Sequence, residues 1–197
     1  MSIASLRTCV QGFTRLVCDE APQETRLLHE GRALLGALIA RDDWLPDAFA
    51  APDPERYRQY LLYCDPLERF SIVSFVWGPG QRTPIHDHTV WGLVGVLRGA
   101  ERSVAYRAGT TAGALEQCGD SQLGPGDIEA VSPRIGDIHA VSNALTDRPS
   151  VSIHVYGANI GAVHRHVFDA ATGKPQRFVS GYSSAVLPNL WDRTLEA

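Results

Sequence analysis

The chain has 197 residues, 44% of them hydrophobic and 20% charged, which predicts one globular domain over residues 1–197 with a sizeable core. It carries 18 basic and 22 acidic side chains, a formal net charge of −4, so we expect neither nucleic acid nor a membrane surface as a partner. No window of about 18 apolar residues occurs, which excludes a membrane-spanning helix.

The cysteines indicate the redox environment. They stand far apart without a CxxC pair, at Cys9, Cys18, Cys64 and Cys118, which argues against a zinc ribbon or a redox dithiol. The N-terminal residues lack the apolar segment and cleavage site of a secretory signal. We therefore expect four reduced thiols in a cytoplasmic protein.

Residues 1–54 are predicted to be helical. Apolar side chains recur at spacings of three and four in residues 3–18 and again in 24–41, which is typical of amphipathic helices. Pro22 stands where it favours the opening of the second helix. A proline-rich connector, residues 42–54, follows.

Residues 55–197 are predicted to form a small β-barrel. Short β-branched and aromatic runs alternate there with glycine and proline, at residues 57–63, 70–77, 91–97, 103–106, 128–131, 138–142, 151–156 and 163–168. Such spacing indicates an antiparallel sandwich or barrel. The predicted fold is mainly β, with the N-terminal helices packed on the barrel.

Three histidines are candidate metal ligands. His86 and His88 stand two residues apart, and residues i and i+2 of a strand point to one face, about 6.6 Å apart along the backbone. Asp87 points the other way and is a poor candidate. A histidine pair of this kind also occurs on solvent-facing strands, but His139, on another predicted strand, favours a three-imidazole metal site.

A second polar group lies on one predicted strand. Ser152, His154 and Tyr156 alternate with apolar residues, so all three share one face. That face could lie in water, as in many amphipathic strands. Beside a metal, the same three groups could form a hydrogen-bonded relay that ends at a metal-bound ligand.

The histidine spacings resemble the two halves of the cupin signature. These halves are Gly80-x5-His86-x-His88 with Gly92 and Gly99 after it, and Gly136-x2-His139-x3-Asn143. Cupins usually carry a glutamate ligand where this chain has Gly92, and Pro133 is one residue further from Gly136 than usual. The resemblance implies a jelly-roll barrel with a three-histidine site.

Residues 56–165 further resemble the cysteine dioxygenase (thiol dioxygenase) family of cupins. The resemblance is carried by Trp77-Gly-x-Gly80, by the three histidines, and by Ser152-x-His154-x-Tyr156. It implies one Fe(II) per chain held by the histidines, a catalytic relay of Ser152, His154 and Tyr156, and a small thiol and O2 as substrates.

Two departures from the animal cysteine enzymes concern the substrate. Gly92 and Leu93 occupy the region where those enzymes carry a cysteine cross-linked to the relay tyrosine, so Tyr156 is expected to be unmodified. Gln59 stands in phase where they hold the substrate carboxylate with arginine, although a one-residue slip would place Arg58 there. Arg165 offers a cation further along the chain.

The combination of Gln59 and Arg165 resembles the bacterial 3-mercaptopropionate dioxygenases, and these two residues with Trp77 are the expected substrate-binding set. His164 and His166, which flank Arg165, are expected to be surface residues and not ligands. The alternatives are a cysteine dioxygenase, a three-histidine zinc hydrolase and a non-catalytic ligand-binding cupin. The oligomeric state is left open.

Overall fold

The computed structural model describes residues 2–18, 23–109 and 114–192. Within them lie two α-helices, α1 (Ala4–Leu16) and α2 (Glu24–Ile39), and one 3-10 helix, Asp47–Phe49. The same residues form eleven β-strands: β1 (Arg58–Cys64), β2 (Ser71–Trp77), β3 (Ile85–His86), β4 (Gly92–Arg98), β5 (Glu101–Ala108), β6 (Leu115–Leu123), β7 (Ile128–Val131), β8 (Ile138–Asn143), β9 (Ser150–Tyr156), β10 (Arg165–Phe168) and β11 (Pro175–Phe178).

The strands make two antiparallel sheets. One has the order β1-β2-β9-β4-β7, and the other has the order β11-β10-β3-β8-β5-β6. Sequence neighbours are often separated in a sheet: β9 lies between β2 and β4, and β8 between β3 and β5. This arrangement confirms the predicted jelly-roll barrel of the cupin type.

The two helices cover one face of the five-stranded sheet. Phe13 of α1 and Leu35 of α2 are fully buried, in one apolar cluster with Leu93 of β4 and Ile153 of β9. Side chains of this size each stabilise the fold by roughly 1.5–3 kcal/mol when buried. The apolar faces predicted for the two helices therefore pack against the five-stranded sheet.

The opposite face of the same sheet lines the barrel interior. Every residue of β2 and of β9 is buried, and alternate side chains go to different clusters. Phe75 and Trp77 join Tyr156 in a second, smaller core, whereas Ile72 and Val155 pack with the helices. Polar side chains on the inner face of β9 are thus enclosed between the two sheets.

Two strands, β6 and β11, were not predicted, and β3 is shorter than the strand expected to carry both His86 and His88. β6 has a polar sequence and is paired on only one side, with β5, so no apolar alternation marks it. β3 is two residues long, and β11 is an edge strand that opens with a proline, as edge strands tolerate. Pro22 lies outside the described residues.

The structure describes the state of the cysteines and the character of the helices. All four cysteines are free thiols; Cys9 is buried, and Cys18 and Cys118 are exposed. None of the helices in residues 2–18, 23–109 and 114–192 is long and apolar enough to cross a membrane.

Candidate metal centre

Three histidines meet inside the barrel. His86 ends β3 and lies directly opposite His139 of β8 in the antiparallel register. Their candidate ligand atoms and that of His88 all lie within 4.8 Å of one another, and all three side chains are buried. The expected cluster is present, although β3 ends at His86, so His88 does not lie on the strand predicted to carry both residues of the pair.

One ring nitrogen of each imidazole already has a protein partner. The Nδ1 contacts are His86 to the Pro84 carbonyl oxygen at 3.1 Å, His88 to Asp137 Oδ1 at 3.1 Å, and His139 to Ser103 Oγ at 3.3 Å. A carbonyl or carboxylate oxygen only accepts, so Nδ1 carries the proton in His86 and His88. Their Nε2 atoms keep the lone pair that a metal ion needs.

His88 supplies the test of whether a metal fits. Its Nε2 atom is buried and makes no hydrogen bond with the described residues. A buried acceptor without a donor is costly, and a cation held with His86 and His139 would satisfy it. The donor set of three imidazoles suits a divalent transition metal.

Electrostatics keep the imidazoles of His86 and His139 neutral. Burial, with the neighbouring His88, lowers the pKa of His86 to about 3. Burial and the other histidines also hold the pKa of His139 well below its usual value. Burial alone would raise the pKa of Asp137, but its hydrogen bonds with His88 and with the Thr89 backbone outweigh that, and its pKa is lowered. His86 and His139 are therefore neutral near pH 7, and the carboxylate of Asp137 beside His88 is ionised.

Ser152, His154 and Tyr156 form a continuous hydrogen-bonded relay. Ser152 Oγ lies 2.7 Å from His154 Nε2, and His154 Nδ1 lies 2.8 Å from the Tyr156 hydroxyl. The Tyr156 ring stacks on that of His88, with 5.3 Å between centroids. The relay therefore runs from the interior of the barrel to the histidine cluster.

The relay is shielded from solvent. All three of its side chains are buried, and His154 stacks on Phe75 with 4.2 Å between ring centroids. The alternative in which this polar face lies in water is wrong for this chain, because the six-stranded sheet covers it. Burial also raises the pKa of Tyr156, which keeps its hydroxyl protonated.

A cavity of about 200 Å³ opens beside His86. It is lined by residues of β1, β2, β3, β10 and β11 and of the adjoining loops, namely Tyr57, Gln59, Phe75, Thr83, Pro84, His86, Arg165, Val167, Phe178 and Ser180. Its wall combines aromatic rings with a few polar groups, as small-molecule sites do. A short ligand there would lie beside one of the three clustered histidines.

Arg165 is the cation of this cavity. Its side chain is buried, with 4% of the residue exposed. Its Nη2 atom donates to Ser180 Oγ at 2.8 Å, and its guanidinium carbon lies 4.8 Å from the centroid of the Phe178 ring. Its Nε is buried and has no hydrogen-bond acceptor within the described residues. Nor does any described acidic side chain lie within ion-pair distance of it. Within the described residues, the site thus holds a buried positive charge without a counter-ion.

The strand β1 places Gln59, and not Arg58, on the cavity side. Gln59 pairs with Phe75 in the β1–β2 register and donates from Nε2 to Ser180 Oγ at 3.2 Å. Arg58 instead forms an ion pair with Asp53. The one-residue slip considered for this strand does not occur.

Trp77, an expected substrate-binding residue, contacts the relay. Its indole is buried, packs against the rings of Tyr57 and Phe75, and is not among the residues that line the cavity. Its Nε1 donates to Ser152 Oγ at 3.4 Å. Trp77 therefore contacts the relay and not the space beside His86, because its strand β2 pairs directly with β9.

Asp87, His164 and His166 lie outside the histidine cluster. Asp87 accepts hydrogen bonds from the backbone and the Nδ1 atom of His166, at 2.7 and 2.8 Å. His164 is exposed, and His166 is about one third exposed. None of these three belongs to the group of possible ligands.

Sequence reasoning missed the groups that support the site. Asp137 and Ser103 hold two of the imidazoles, Glu129 lies 3.9 Å from His139, and Glu101 is fully buried near the relay. Asp137 is separated from His88 by 49 residues, so no local spacing reveals the contact. The one available signal was alternation in β5, where Glu101 and Ser103 share a face.

Comparisons with known proteins agree with this geometry. The sequence pattern of the family described as "Cysteine dioxygenase type I" matches residues 38–169, about two thirds of the chain. Among solved structures, the chain is similar to an uncharacterized conserved protein with a double-stranded beta-helix domain from Klebsiella pneumoniae, at 19% identity over 61% of this chain and 95% of that chain, with a TM-score of 0.44.

It is also similar to a cupin superfamily protein from Desulfitobacterium hafniense, at 15% identity over 60% of this chain and 94% of that chain, with a TM-score of 0.44. An oxalate oxidase in complex with the substrate analogue glycolate matches at 15% identity over 61% of this chain and 60% of that chain, with a TM-score of 0.45. The family match includes the three clustered histidines and the whole relay. The chain belongs to the cysteine dioxygenase type I family, as a cupin of the metal-dependent thiol dioxygenase type.

Proposed function

We propose that this protein is an iron-dependent thiol dioxygenase that converts 3-mercaptopropionate and O2 to the sulfinate. One observation carries the proposal: the buried guanidinium of Arg165, which lacks a counter-ion among the described residues, shares a cavity with His86. A thiol carboxylate has one group for a metal and one for a cation. The cavity offers a place for each.

The metal would be held by His86, His88 and His139, one ion per chain. Three protein ligands leave positions open on an octahedral ion. Ferrous iron bound there supplies the O2 chemistry of the reaction. Three neutral imidazoles would leave the charge of a bound ion uncompensated, which would favour an anionic thiol substrate at this site. Zinc would fill the same site without redox activity.

The carboxylate of the substrate would pair with Arg165. A guanidinium matches a carboxylate with two parallel hydrogen bonds, and the Nε atom of Arg165 has no acceptor in the described part of the chain. Gln59 would add a neutral amide donor from the neighbouring strand. This set would suit 3-mercaptopropionate better than cysteine, because Arg165 offers a cation for the carboxylate and none of the described residues that line the cavity is acidic and able to pair with an amino group.

Tyr156 would hold a proton beside the three-histidine cluster, where its ring stacks on that of His88. Its hydroxyl is fixed by His154 Nδ1, which is in turn fixed by Ser152. A phenol held in this way can donate a hydrogen bond to an oxygen that develops negative charge. The surrounding rings of Phe75 and His88 exclude water from it.

The reaction balances without an external reductant. Both atoms of O2 become bonded to the sulfur, the S–H bond is lost, and the thiol proton goes to solvent. The sulfur supplies all the electrons that reduce O2. The chain therefore has no need of a second redox cofactor.

An oxygen-electrode assay of the iron-loaded protein tests this function. 3-Mercaptopropionate, cysteine and cysteamine are compared at equal concentration, with zinc-loaded protein as the control. We expect stoichiometric O2 uptake that is fastest with 3-mercaptopropionate and absent with zinc. Faster turnover of cysteine would make this chain a cysteine dioxygenase, and no uptake with any thiol would overturn the dioxygenase assignment.

A further inference from the structure

A buried acidic side chain lies at the inner end of the relay. Glu101, the first residue of β5, is fully buried, and no described arginine or lysine forms an ion pair with it. Ser150 Oγ donates to its Oε1 at 3.4 Å, while its Oε2 makes no hydrogen bond of ordinary geometry. The proposed reaction does not use this group.

The surroundings of Glu101 favour its protonated form. Burial raises its pKa to about 8, although interactions with the hydroxyls of Ser152 and Ser150 and with the Trp77 indole work against that shift. An ionised carboxylate without a cation is costly in such a place. At neutral pH the side chain therefore mainly carries a proton and can donate it in a hydrogen bond.

Ser152 is the point where this donor matters. The hydroxyl of Ser152 has a single proton to donate. Its oxygen already accepts from Trp77 Nε1 and lies 2.7 Å from His154 Nε2. Either Ser152 donates to His154, or His154 donates to Ser152.

These two arrangements differ at Tyr156. If Ser152 donates to Nε2, the proton of a neutral His154 is on Nδ1. That N–H donates to the Tyr156 oxygen and leaves the phenolic proton available at the metal centre. If His154 donates to Ser152 instead, its Nδ1 atom must accept a hydrogen bond. The Tyr156 hydroxyl then donates its proton to His154 and has none left for the metal centre. A protonated carboxyl of Glu101 that donated to the serine oxygen would favour the first arrangement, because Ser152 would then have His154 left as the acceptor for its own proton.

We propose that Glu101 is a positioning residue that sets the direction of the Ser152–His154–Tyr156 hydrogen bonds, so that the Tyr156 proton is available at the metal centre. Its place at the buried end of the relay, the two hydroxyls beside it and the absence of a cation in the described surroundings carry this inference. The consequence for turnover rests on the proposed function; the direction of the hydrogen bonds does not.

The direction can be read without turnover, from the imidazole nitrogen shifts of His154 in metal-free, ¹⁵N-histidine-labelled protein. A His154→Gln variant assigns the signals. In the wild type we expect the proton on Nδ1, and the same tautomer in Glu101→Gln, whose amide N–H can still donate to Ser152. In Glu101→Leu, which has no donor, we expect the Nε2-protonated tautomer to appear.

Iron-loaded enzyme gives the second readout. Glu101→Leu should lower kcat for the thiol about tenfold, the rate equivalent of one lost hydrogen bond, with KM little changed, and Glu101→Gln should restore most of it. Ser74→Ala is the matched control, since Ser74 is a buried serine of the adjacent strand β2 whose hydroxyl has no partner in the described residues. It should alter neither readout.

An Nε2-protonated His154 in the wild type or in Glu101→Gln would overturn the inference, and so would a Glu101→Leu protein with an unchanged tautomer and kcat. If Glu101→Leu does not fold, the wild type and Glu101→Gln still decide the matter. Wild-type protein that shows the Nδ1 tautomer but no O2 uptake would contradict the proposed function and leave the role of Glu101 in the relay standing.

Discussion

Gly92 lies directly opposite Tyr156 in the β4–β9 pair, and a Cβ atom at position 92 would come within 2.8 Å of Tyr156 Cδ1. That approach is shorter than van der Waals contact, so the aromatic ring occupies the space that a side chain at 92 would need. A side chain at position 92, such as the usual glutamate ligand of cupins, would therefore require the Tyr156 ring to move.

The first prediction is that Tyr156 carries no covalent cross-link. Intact-mass spectrometry of the purified protein should give the mass of the unmodified chain, because no cysteine lies at 92 or 93 to form a thioether. A species lighter by two hydrogens, with a cross-linked peptide that contains Tyr156, would contradict this.

A methyl group at Gly92 should displace the tyrosine. Gly92→Ala is expected to lower the free energy of unfolding by about 1–3 kcal/mol, because the added methyl group overpacks the site. It should also lower kcat per bound iron, because the Tyr156 ring must shift. Gly95→Ala is the matched control: its Cβ would meet Ile39 at 2.8 Å on the helix-covered face, so it should cost stability and spare kcat. Thermal unfolding and steady-state kinetics separate the two, and equal kcat losses would count against the proposed relay geometry.

The support of His88 by Asp137 gives the next prediction. Asp137 accepts hydrogen bonds from the His88 ring and from the backbone N–H groups of residues 88 and 89. Asp137→Asn turns one acceptor into a donor, so we expect metal affinity to fall about 10–100-fold, as is common for groups that orient a metal-binding histidine. Anaerobic competition with a chelator measures this.

Asp87→Asn serves as the control for that experiment. Asp87 stands between His86 and His88 in the sequence but binds His166. Its replacement should leave metal affinity near the wild-type value. If Asp87→Asn weakened binding as much as Asp137→Asn, the support would come from the charge of the region and not from the orientation of His88.

Removal of the relay hydroxyl should separate iron binding from turnover. Tyr156→Phe keeps the ring that stacks on His88, so iron content should stay near wild type, while kcat falls about 10²–10⁴-fold, as for loss of a proton-holding group. Tyr60→Phe makes the same chemical change at a hydroxyl that binds the Ala51 carbonyl, away from the cavity, and should leave kcat unchanged. Wild-type turnover in Tyr156→Phe would show that the phenolic proton is not used.

The pattern of the sequence predicted the fold and the three-histidine cluster well, for a local reason. Alternation along β9 places Ser152, His154 and Tyr156 on one face whatever the surroundings, and His86 faces His139 because β3 and β8 pair. Whether this face of β9 lies in water or against protein depends on the position of the six-stranded sheet. No local pattern in the sequence encodes that position.

Other features were missed because their causes are distant in the chain or absent from the pattern. β6 lacks apolar alternation because it lies at a sheet edge. Trp77 was assigned to the substrate, although its indole reaches Ser152, 75 residues away. Glu101 is one acidic residue among many in the sequence, and only the fold shows that it is enclosed.

The measurement that tests the central claim most directly is kcat/KM for 3-mercaptopropionate and cysteamine in Arg165→Met and Arg58→Met. Methionine keeps much of the buried stem of Arg165 and removes its charge. We expect Arg165→Met to lose roughly ten- to hundredfold with 3-mercaptopropionate, the equivalent of one charge-assisted pair, and to change little with cysteamine, which has no carboxylate. Arg58→Met should behave as wild type. A large loss of kcat/KM in Arg58→Met, together with a wild-type kcat/KM in Arg165→Met, would contradict the proposed role of Arg165.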